Sequence, residues 1–305
     1  MGQSITISNN TSIGQSIKGK ADRFDANAVV AMSIYKNDKV NWVIESVESV
    51  LSQSYTNFVL VIYLDGPVSD EIEKSLSLFQ ESTEQIVVMR SQHCDGLAYA
   101  MNQISMACRE WEPEFFARMD ADDISEPDRL QKQIDFFTKT PETDVLGTSI
   151  IEIDEVGRRV GYRNVPQHHH VLKKALSRRC PFNHPSVFMR YDKLMSVGSY
   201  DVRLKNTQDY FLWIEMARNG AIFANLREPL LKFRRVDGFY KRRGKEKSLN
   251  ELKARFTAMR ELNQWSLFNI CYAIGVFTLR MMPSPVIKLA YKLDRSYFHK
   301  RATDK

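Results

Sequence analysis

The sequence has few of the features that mark several common classes of protein. Its four cysteines are far apart and include no Cys-x-x-Cys pair, so neither a disulfide framework nor a structural zinc site is expected. Residues 1–27 are polar where a secretory signal would carry an apolar stretch, and we expect a flexible N-terminal tail on a cytoplasmic protein. No internal repeat or low-complexity linker follows, so residues 28–244 are predicted to form one continuous domain.

Long hydrophobic runs are also missing. An apolar stretch that begins at Trp265 reaches only Leu279 before Arg280, which is short of the roughly 20 residues that a membrane-spanning helix needs. Beyond it, apolar, aromatic and basic residues are interleaved, as in a helix that lies in a membrane interface. Residues 245–305 are therefore predicted to be a helical, membrane-associating segment. The alternative is a helical pair packed on its own domain or on a second subunit.

Composition and charge exclude less. With 43% apolar and 11% aromatic residues, the 305-residue chain can bury a sizeable core, so it is neither disordered nor fibrous. The formal net charge of +6 is modest for this length, and we expect no nucleic acid partner. The same charge suits an anionic membrane surface or a substrate that carries a diphosphate.

Short apolar runs alternate with helical repeats from Ala28 onward. Strands are predicted at 28–35, 58–64, 85–90 and 115–119, and helices at 39–53, 69–80 and 96–109. Asp38 is predicted to cap the first of these helices. Alternation of this kind predicts an α/β fold with a mostly parallel twisted sheet covered by helices on both faces. Ligands are expected beyond the carboxyl ends of the strands, where Asp65 and Asp120 lie.

The pattern changes after residue 123. A helix is predicted from Ser125, as the cap, to about Lys139, with Pro127 tolerated in its first turn. Alternating residues over 149–165 then predict a β-hairpin across the front of the sheet. The run of histidines at 168–170 suggests a metal site, but neighbouring residues on a helix point in different directions, so a solvated helix start is the preferred interpretation.

An acidic cluster, Asp120-Ala121-Asp122-Asp123, directly follows a buried strand. Carboxylates this close raise one another's pKa unless a cation is shared between them. A divalent ion held by one or two carboxylates, waters and substrate phosphates is the usual form of a Mg²⁺ or Mn²⁺ site. The cluster therefore predicts a metal that holds a diphosphate, and the alternative is a solvated acidic loop before a helix.

Several stretches of residues 28–244 resemble, in the right order, glycosyltransferase family 2, the inverting nucleotide-sugar transferases of GT-A fold. The resemblance is strongest to bacterial enzymes that build O-antigen and exopolysaccharide repeat units. The matching stretches are AMSIYKND, IESVESVLSQSYTNFVLVIYLDGPVSD, GLAYAMNQ, FARMDADDISEPDRLQKQ, CPFNHPSVFMR, QDYFLWIEMARNG and YKRRG.

The resemblance implies a role for each acidic residue. Tyr35, at the end of the first strand, and Asp65 border the uracil of a UDP-sugar donor. Asp120 contacts the ribose or the metal, and Asp122 ligates the metal, which is Mn²⁺ or Mg²⁺. Asp123 resembles the extra acidic residue of the polysaccharide subgroup. The loop before Gly96 departs from the family pattern, since it carries Cys94-Asp95, and donor contacts are not extended to it.

The acceptor side is implied by later motifs. Asp209 aligns with the family's general base, although the residue before it is Gln208 where relatives usually have Glu. The Asn183-His184-Pro185 motif is expected near the acceptor or the metal. Trp213, four positions after Asp209, is either a floor for the acceptor sugar or an ordinary core residue.

Basic residues provide the remaining candidates. Five basic residues are expected to bind a diphosphate, either that of the donor or that of a lipid-linked acceptor. They are Arg234, Arg235, Lys241, Arg242 and Arg243.

The sequence thus predicts transfer of a hexose, glucose or galactose, from a UDP-hexose to a lipid-diphosphate-linked sugar at the inner face of a bacterial inner membrane. A phosphatase lacks support, because the Asp-x-Asp motif does not follow an early strand. A nucleotidyltransferase lacks support, because the sequence does not begin with a Gly-rich phosphate loop. A membrane-bound scaffold that has lost its chemistry is the other alternative, and Gln208 is its only support.

Overall fold

Nine strands and nine α-helices lie in the part of the chain that the computed structural model describes, residues 26–204, 206–236 and 245–281. The strands are β1 (Ala28–Tyr35), β2 (Phe58–Asp65), β3 (Ile86–Arg90), β4 (Phe115–Asp120), β5 (Ile124–Ser125), β6 (Val145–Ile153), β7 (Arg159–Arg163), β8 (Phe188–Arg190) and β9 (Phe223–Arg234). The helices are α1 (Val40–Leu51), α2 (Asp70–Ser82), α3 (Leu97–Ala107), α4 (Arg129–Lys139), α5 (His169–Ala175), α6 (Tyr191–Ser196), α7 (Gln208–Arg218), α8 (Lys245–Glu261) and α9 (Leu267–Arg280). The predicted N-terminal tail to residue 25, and residues 282–305, lie outside the described residues.

All strands belong to one mixed sheet with the order β3-β2-β1-β4-β8-β6-β9-β5. The first four strands in this order are parallel, as the β/α alternation predicts. The second half is mixed: β8 is antiparallel to β4 and β6, β9 is parallel to β6, and β5 is antiparallel to β9. The predicted hairpin is confirmed as β6 and β7, which pair antiparallel. Its predicted place across the front of the sheet was wrong, since β6 lies within the sheet between β8 and β9.

Helices cover both faces of the sheet because β1 and β2 are apolar on both sides. Alternate residues of these strands face opposite ways, so they divide between two hydrophobic cores. On one face, Val30, Met32 and Leu60 pack with α1, α2 and α4. On the other, Val29 and Val61 pack with α3, α5, α7 and α8. A sheet buried in this way leaves its strand ends as the accessible edge for a ligand.

Two predicted helix starts were wrong. Asp38 does not cap α1, because the residue that precedes this helix is Lys39. The Asp38 Oδ2 instead accepts a hydrogen bond from the Tyr35 backbone N–H at 2.9 Å. Ser125 does not cap α4, which begins four residues later at Arg129. It lies in β5 and pairs with Leu231 of β9. At Ser125 the pairing with β9 takes the place of the cap, whereas at Asp38 a local hydrogen bond to Tyr35 does so.

The last two helices form a hairpin that packs on the rest of the chain. Ala254 and Ala258 of α8 are fully buried in the core, and the Arg255 Nε donates to the Arg178 carbonyl oxygen at 2.6 Å. The outer face of α9 is open, since Leu267 is 78% and Phe268 62% exposed. Within the described residues, no helix is both long and apolar enough to cross a membrane. The inner face of this hairpin thus packs on the chain's own domain, as the alternative interpretation of residues 245–305 predicts.

Candidate active site

The ends of three parallel strands bring together residues that are far apart in the sequence. Tyr35 and Asp65 are register partners at the ends of β1 and β2. Asp120 ends β4, in register with Ser33 of β1. Because parallel strands end at the same edge of a sheet, three of the predicted site residues share one edge.

Asp120, Asp122 and Asp123 form an acidic cluster at that edge. One carboxylate oxygen from each lies within 4.8 Å of the others. Asp120 and Asp122 are half-buried, whereas Asp123 is fully buried. The Asp123 Oδ1 accepts a hydrogen bond from the Arg234 backbone N–H at 2.8 Å, and its Oδ2 has no hydrogen-bond partner among the described residues. Three hard oxygen donors at this spacing fit a divalent cation such as Mg²⁺ or Mn²⁺.

Buried arginines lie beneath this cluster. The fully buried Arg118 guanidinium donates hydrogen bonds to the Asp120 carboxylate and, at 3.0 Å each, to the carbonyl oxygens of Ala31 and Met119. Arg129 is 1% exposed and donates to the Arg118 carbonyl oxygen at 2.6 Å. Burial lowers the pKa of Arg129 to about 9. These cations offset part of the repulsion between the carboxylates above them.

Burial and the remaining repulsion both favour protonation within the cluster. Burial raises the pKa of Asp123 well above its usual range, and the charges of Asp122 and Asp120 raise it further. A cation bound between the carboxylates relieves the same repulsion. The cluster thus fits the predicted metal in its donor atoms and in its charge.

Sequence reasoning missed Arg118 and Arg129. A signal for Arg118 was present, because it is a charged residue within the otherwise apolar strand run Phe-Phe-Ala-Arg-Met. A charge in a strand buried on both faces needs partners within the protein. No comparable signal marked Arg129, which is the first residue of an ordinary amphipathic helix.

Arg234 holds the acidic cluster in place from β9. Its side chain is 2% exposed and pairs with the Glu45 carboxylate. The Arg234 Nε also donates to the Asp122 carbonyl oxygen at 2.9 Å, and its Nη1 to the Glu155 carbonyl oxygen at 3.2 Å. A side chain so buried has no surface for a substrate, and the prediction that Arg234 contacts a diphosphate was wrong.

The Asp65 carboxylate organises the loop before α3. It accepts hydrogen bonds from the backbone N–H of Asp95 at 2.7 Å, from that of Gly96 at 3.0 Å and from the Cys94 thiol at 3.4 Å. Gly96 has a φ of +91°, which a side chain disfavours, and directly precedes α3. Asp65 therefore shapes the loop that departs from the family pattern.

Tyr35 is half-buried, and its backbone N–H is bound to Asp38. Burial raises the pKa of Asp38 to about 7, and the nearby charges of Asp122 and Asp120 add to the rise. The end of β1 is therefore tied electrostatically to the acidic cluster.

Asp209 lies at the start of α7, on a strained turn. Thr207, which precedes the helix, has a φ of +62°, a left-handed conformation that is unfavourable for a β-branched residue. The Asp209 Oδ2 lies 3.7 Å from the Cys180 Sγ, whose thiol donates to it. Burial raises the pKa of Asp209. Next to it, the buried Oε1 of Gln208 has no hydrogen-bond partner within the described ranges.

The Asn183-His184-Pro185 motif leads into a short 3-10 turn, His184–Ser186. The His184 Nε2 is 2.9 Å from the Tyr200 hydroxyl. Burial lowers the pKa of His184 well below its usual range, and the charge of Arg118 lowers it further, so the imidazole is neutral. Burial also raises the pKa of Tyr200, and the charges of Asp209 and Asp120 add to that rise. Tyr200 thus lies close to both Asp209 and Asp120.

Trp213 does not form a floor for a sugar. It is fully buried in the core, where its ring packs edge-on against Phe182 at 5.1 Å and against His184 at 6.1 Å between centroids. The core interpretation is therefore confirmed, and the acceptor-floor interpretation was wrong. Trp213 acts by supporting the turn that carries His184.

The histidine run marks a helix start, as predicted. His168 precedes α5, and the His169 Nδ1 accepts a hydrogen bond from the Phe223 backbone N–H at 3.0 Å. Lys241, Arg242 and Arg243, predicted to bind a diphosphate, lie outside the described residues.

An α/β sheet with an acidic cluster at its strand ends defines a class of ligand-binding α/β protein. Residues 29–200 match Glycosyl transferase family 2, and the chain belongs to that family and is a glycosyltransferase. The Amylovoran biosynthesis glycosyltransferase AmsE of Erwinia amylovora is 30% identical over 269 residues, which cover 87% of this chain and 98% of the relative. An Escherichia coli UDP-Gal:alpha-D-GlcNAc-diphosphoundecaprenol beta-1,3-galactosyltransferase is 27% identical over 74% of this chain and 81% of its own length.

Solved structures confirm the GT-A fold. S. aureus TarS 1–349 in complex with UDP-GlcNAc has a TM-score of 0.56 at 15% identity, covering 85% of this chain and 82% of that one. The mannosyltransferase PcManGT from Pyrobaculum calidifontis, in complex with GDP-Man and Mn²⁺, has a TM-score of 0.54 at 12% identity, covering 93% and 87%. Both complexes contain a nucleotide sugar, and the second also contains Mn²⁺.

Proposed function

We propose that this chain is an inverting hexosyltransferase that moves glucose or galactose from a UDP-sugar to an N-acetylhexosamine on undecaprenyl diphosphate. The transfer is one step in the synthesis of an O-antigen or exopolysaccharide repeat unit. The observation that carries the proposal is the acidic cluster of Asp120, Asp122 and Asp123 at the strand ends of a family 2 fold. The named substrates of the Escherichia coli relative support the donor and the acceptor class.

Mn²⁺ or Mg²⁺ is the proposed cofactor, with Asp122 and Asp120 as its ligands and Asp123 behind them. When bound, the ion neutralises charge on the departing diphosphate. The chain contributes a rigid support for these ligands, because Arg118 fixes Asp120 and Arg234 fixes the backbone of Asp122. Tyr35 lines the uridine side of the donor site. Asp65 contributes to the same site indirectly, because its carboxylate holds the 94–96 loop in place.

Asp209 is the proposed general base. Its carboxylate takes the proton of the acceptor hydroxyl as that oxygen bonds to the anomeric carbon, while the bond from this carbon to the UDP oxygen breaks. A single displacement inverts the configuration, so an α-linked donor gives a β-linked product. The base must be ionised, and burial raises its pKa, so the rate is expected to fall as the pH decreases through this raised pKa. His184 is neutral and supports the acceptor side of the site through Tyr200.

We place the protein in the bacterial cytoplasm, peripherally bound to the inner face of the inner membrane. The support is the open apolar face of α9, where Leu267, Phe268 and Ile274 are each at least half exposed, and basic residues between 286 and 305 that suit anionic lipid. In this proposal, residues 28–244 form the transferase domain and residues 245–305 the membrane-associating segment. Sedimentation with anionic vesicles tests the assignment, which fails if the full chain stays in the supernatant.

The test of the reaction is a panel of UDP- and GDP-sugars with Mn²⁺ or Mg²⁺ and a synthetic N-acetylhexosamine diphosphate-lipid, with product mass as the readout. We expect a hexose-sized gain from one UDP-sugar, abolished by a chelator. Metal-dependent UDP binding without transfer would show that the acceptor is wrong. Absence of both binding and transfer would favour the scaffold alternative.

The base assignment has its own test. Asp209→Asn is expected to lower turnover by about 10²- to 10⁴-fold, the usual contribution of a general base, while UDP affinity stays the same. Asp192→Asn, at an exposed position of α6, is the matched control. Unchanged turnover in the Asp209 variant would remove this residue from the mechanism.

A further inference from the structure

A second charged cluster lies on the hairpin side of the sheet and consists of Glu152, Arg163 and Arg235. The Glu152 carboxylate is fully buried. The Arg163 Nη2 donates to its Oε1 at 2.9 Å, and the Arg235 Nη1 donates to its Oε2 at 3.5 Å. We call these two residues the arginine pair.

The strand register creates this arrangement. Glu152 of β6 is in register with Gly161 of β7 on one side and with Phe233 of β9 on the other. A Cβ at Gly161 would lie only 3.0 Å from the Glu152 Oε2, so glycine leaves the room that the carboxylate occupies. The Arg163 guanidinium lies 5.3 Å from the centroid of the Phe233 ring. Both the carboxylate and the ring therefore fix the orientation of Arg163.

The cluster is positive and reaches the surface. Two guanidinium groups share one carboxylate, and their side chains are 38% and 22% exposed. The Arg163 guanidinium has five N–H donors in a fixed plane, and a single carboxylate can accept from only part of them. An arginine held at one edge by a buried carboxylate is preorganised to bind an anion at another edge.

The arginine pair adjoins residues that contact the acidic cluster on one side and the His184 turn on the other. Arg235 directly follows Arg234, whose backbone N–H binds Asp123 of the acidic cluster. On the other side, the Arg163 Nη1 is 3.4 Å from the Asn183 Oδ1, and Asn183 precedes His184. An anion on this pair would therefore sit beside the acceptor side of the site.

We propose that Arg163 and Arg235 bind the diphosphate of the acceptor, an inference that rests on the proposed function. The donor diphosphate is assigned to the metal at Asp120 and Asp122, whereas the arginine pair provides a separate cationic site that needs no metal. A lipid-linked sugar carries a second diphosphate next to its reacting ring, and this group matches the charge and the donor geometry of the pair.

A binding experiment tests this site without any knowledge of the sugar. Decyl diphosphate is titrated into the full chain by calorimetry with a chelator present, so that the acidic cluster holds no metal. Arg163→Gln is expected to weaken binding about ten- to a hundredfold, the usual effect of losing a charge-assisted hydrogen bond. Arg159→Gln, at an exposed position of the same hairpin, is the matched control and is expected to bind as the parent does. Equal affinity in the Arg163 variant overturns the proposal.

Kinetics then distinguish the acceptor from the donor. With a diphosphate-linked acceptor, Arg163→Gln is expected to raise KM about tenfold or more, and with an uncharged alkyl glycoside of the same sugar KM should stay the same. Weaker UDP binding in the presence of metal would assign the pair to the donor and overturn the proposal. Arg163→Lys keeps the charge and serves if the glutamine variant does not fold. Failure of every variant and of the parent to transfer sugar would instead reject the proposed function, while the calorimetric result on the arginine pair would stand.

Discussion

The two charged centres of this sheet are built in opposite senses. At the ends of β1 and β4, carboxylates near the surface lie over buried arginines. On the hairpin side, Arg163 of β7 and Arg235, which follows β9, lie near the surface over the buried Glu152 of β6. Arg118 and Glu152 are both fully buried. In each centre the buried counter-charge fixes the outer groups and leaves an excess of one sign. With the proposed assignments, one sheet presents a cation site and an anion site side by side.

The two centres also differ in how far their buried charge is shielded from water. Arg118 binds one carboxylate and two backbone carbonyl oxygens, and its own side chain has no contact with water. Glu152 binds two guanidinium groups that remain partly in water. Disruption of the acidic centre should therefore be the more costly of the two.

The largest expected effect is on the outer part of the acidic centre. Asp122→Asn is expected to lower transfer about a hundred- to a thousandfold, because metal-assisted charge neutralisation contributes several kcal/mol to such a reaction. The measurement is kcat/KM over a range of Mn²⁺ concentrations, with the exposed Asp128→Asn as control. An unaltered metal requirement would remove Asp122 from the ligands.

The buried cation of the same centre should matter for folding. Arg118→Met is expected to lower the free energy of unfolding by about 3–5 kcal/mol, because Asp120 and two carbonyl oxygens lose their buried donor. Denaturant unfolding followed by tryptophan fluorescence measures the loss. Combining this change with Asp120→Asn should restore part of the stability, since the two residues are in contact. Strict additivity would mean that the ion pair contributes nothing.

The buried anion should matter less. Glu152→Gln is expected to destabilise the fold by about 1.5–3 kcal/mol, because a charged hydrogen-bond acceptor is lost while both arginines regain contact with water. The same unfolding measurement applies. A loss as large as that of Arg118→Met would show that the two centres do not differ as proposed.

The smallest effect is a dependence on pH at the edge of the acidic centre. The pKa of Asp38 is about 7 in the folded chain and near its ordinary value of 3.8 when unfolded. The folded state therefore binds more protons, and its stability decreases as the pH rises from about 4 to 7.

Asp38→Asn keeps the acceptor oxygen for Tyr35 and stays neutral. In the presence of a chelator it is expected to flatten the decrease and to stabilise the chain at pH 8 by on the order of 2 kcal/mol. Parallel pH series of both proteins measure this difference. Curves of equal slope would contradict the raised pKa.

Part of the site was predictable because its signals are local. The acidic cluster directly follows an apolar strand, so its position at a strand end follows from neighbouring residues alone. The histidine run and the hairpin were likewise predicted from local spacing. Arg234 and Trp213 were misassigned because their surroundings come from other strands: Arg234 binds residues at positions 45, 122, 123 and 155, and Trp213 packs under the 182–184 turn.

The sequence by itself determined the alternation of strands and helices, the family and the acidic residues at the carboxyl ends of β2 and β4. Apolar periodicity and short motifs depend on residues a few positions apart, and they are readable without the fold. Only the tertiary structure decided which charges are buried, that Ser125 pairs with β9 instead of capping a helix, and that Arg163 and Arg235 share Glu152. Those outcomes depend on sheet register between segments dozens of residues apart, and a buried charge is tolerated only where that register supplies its partners.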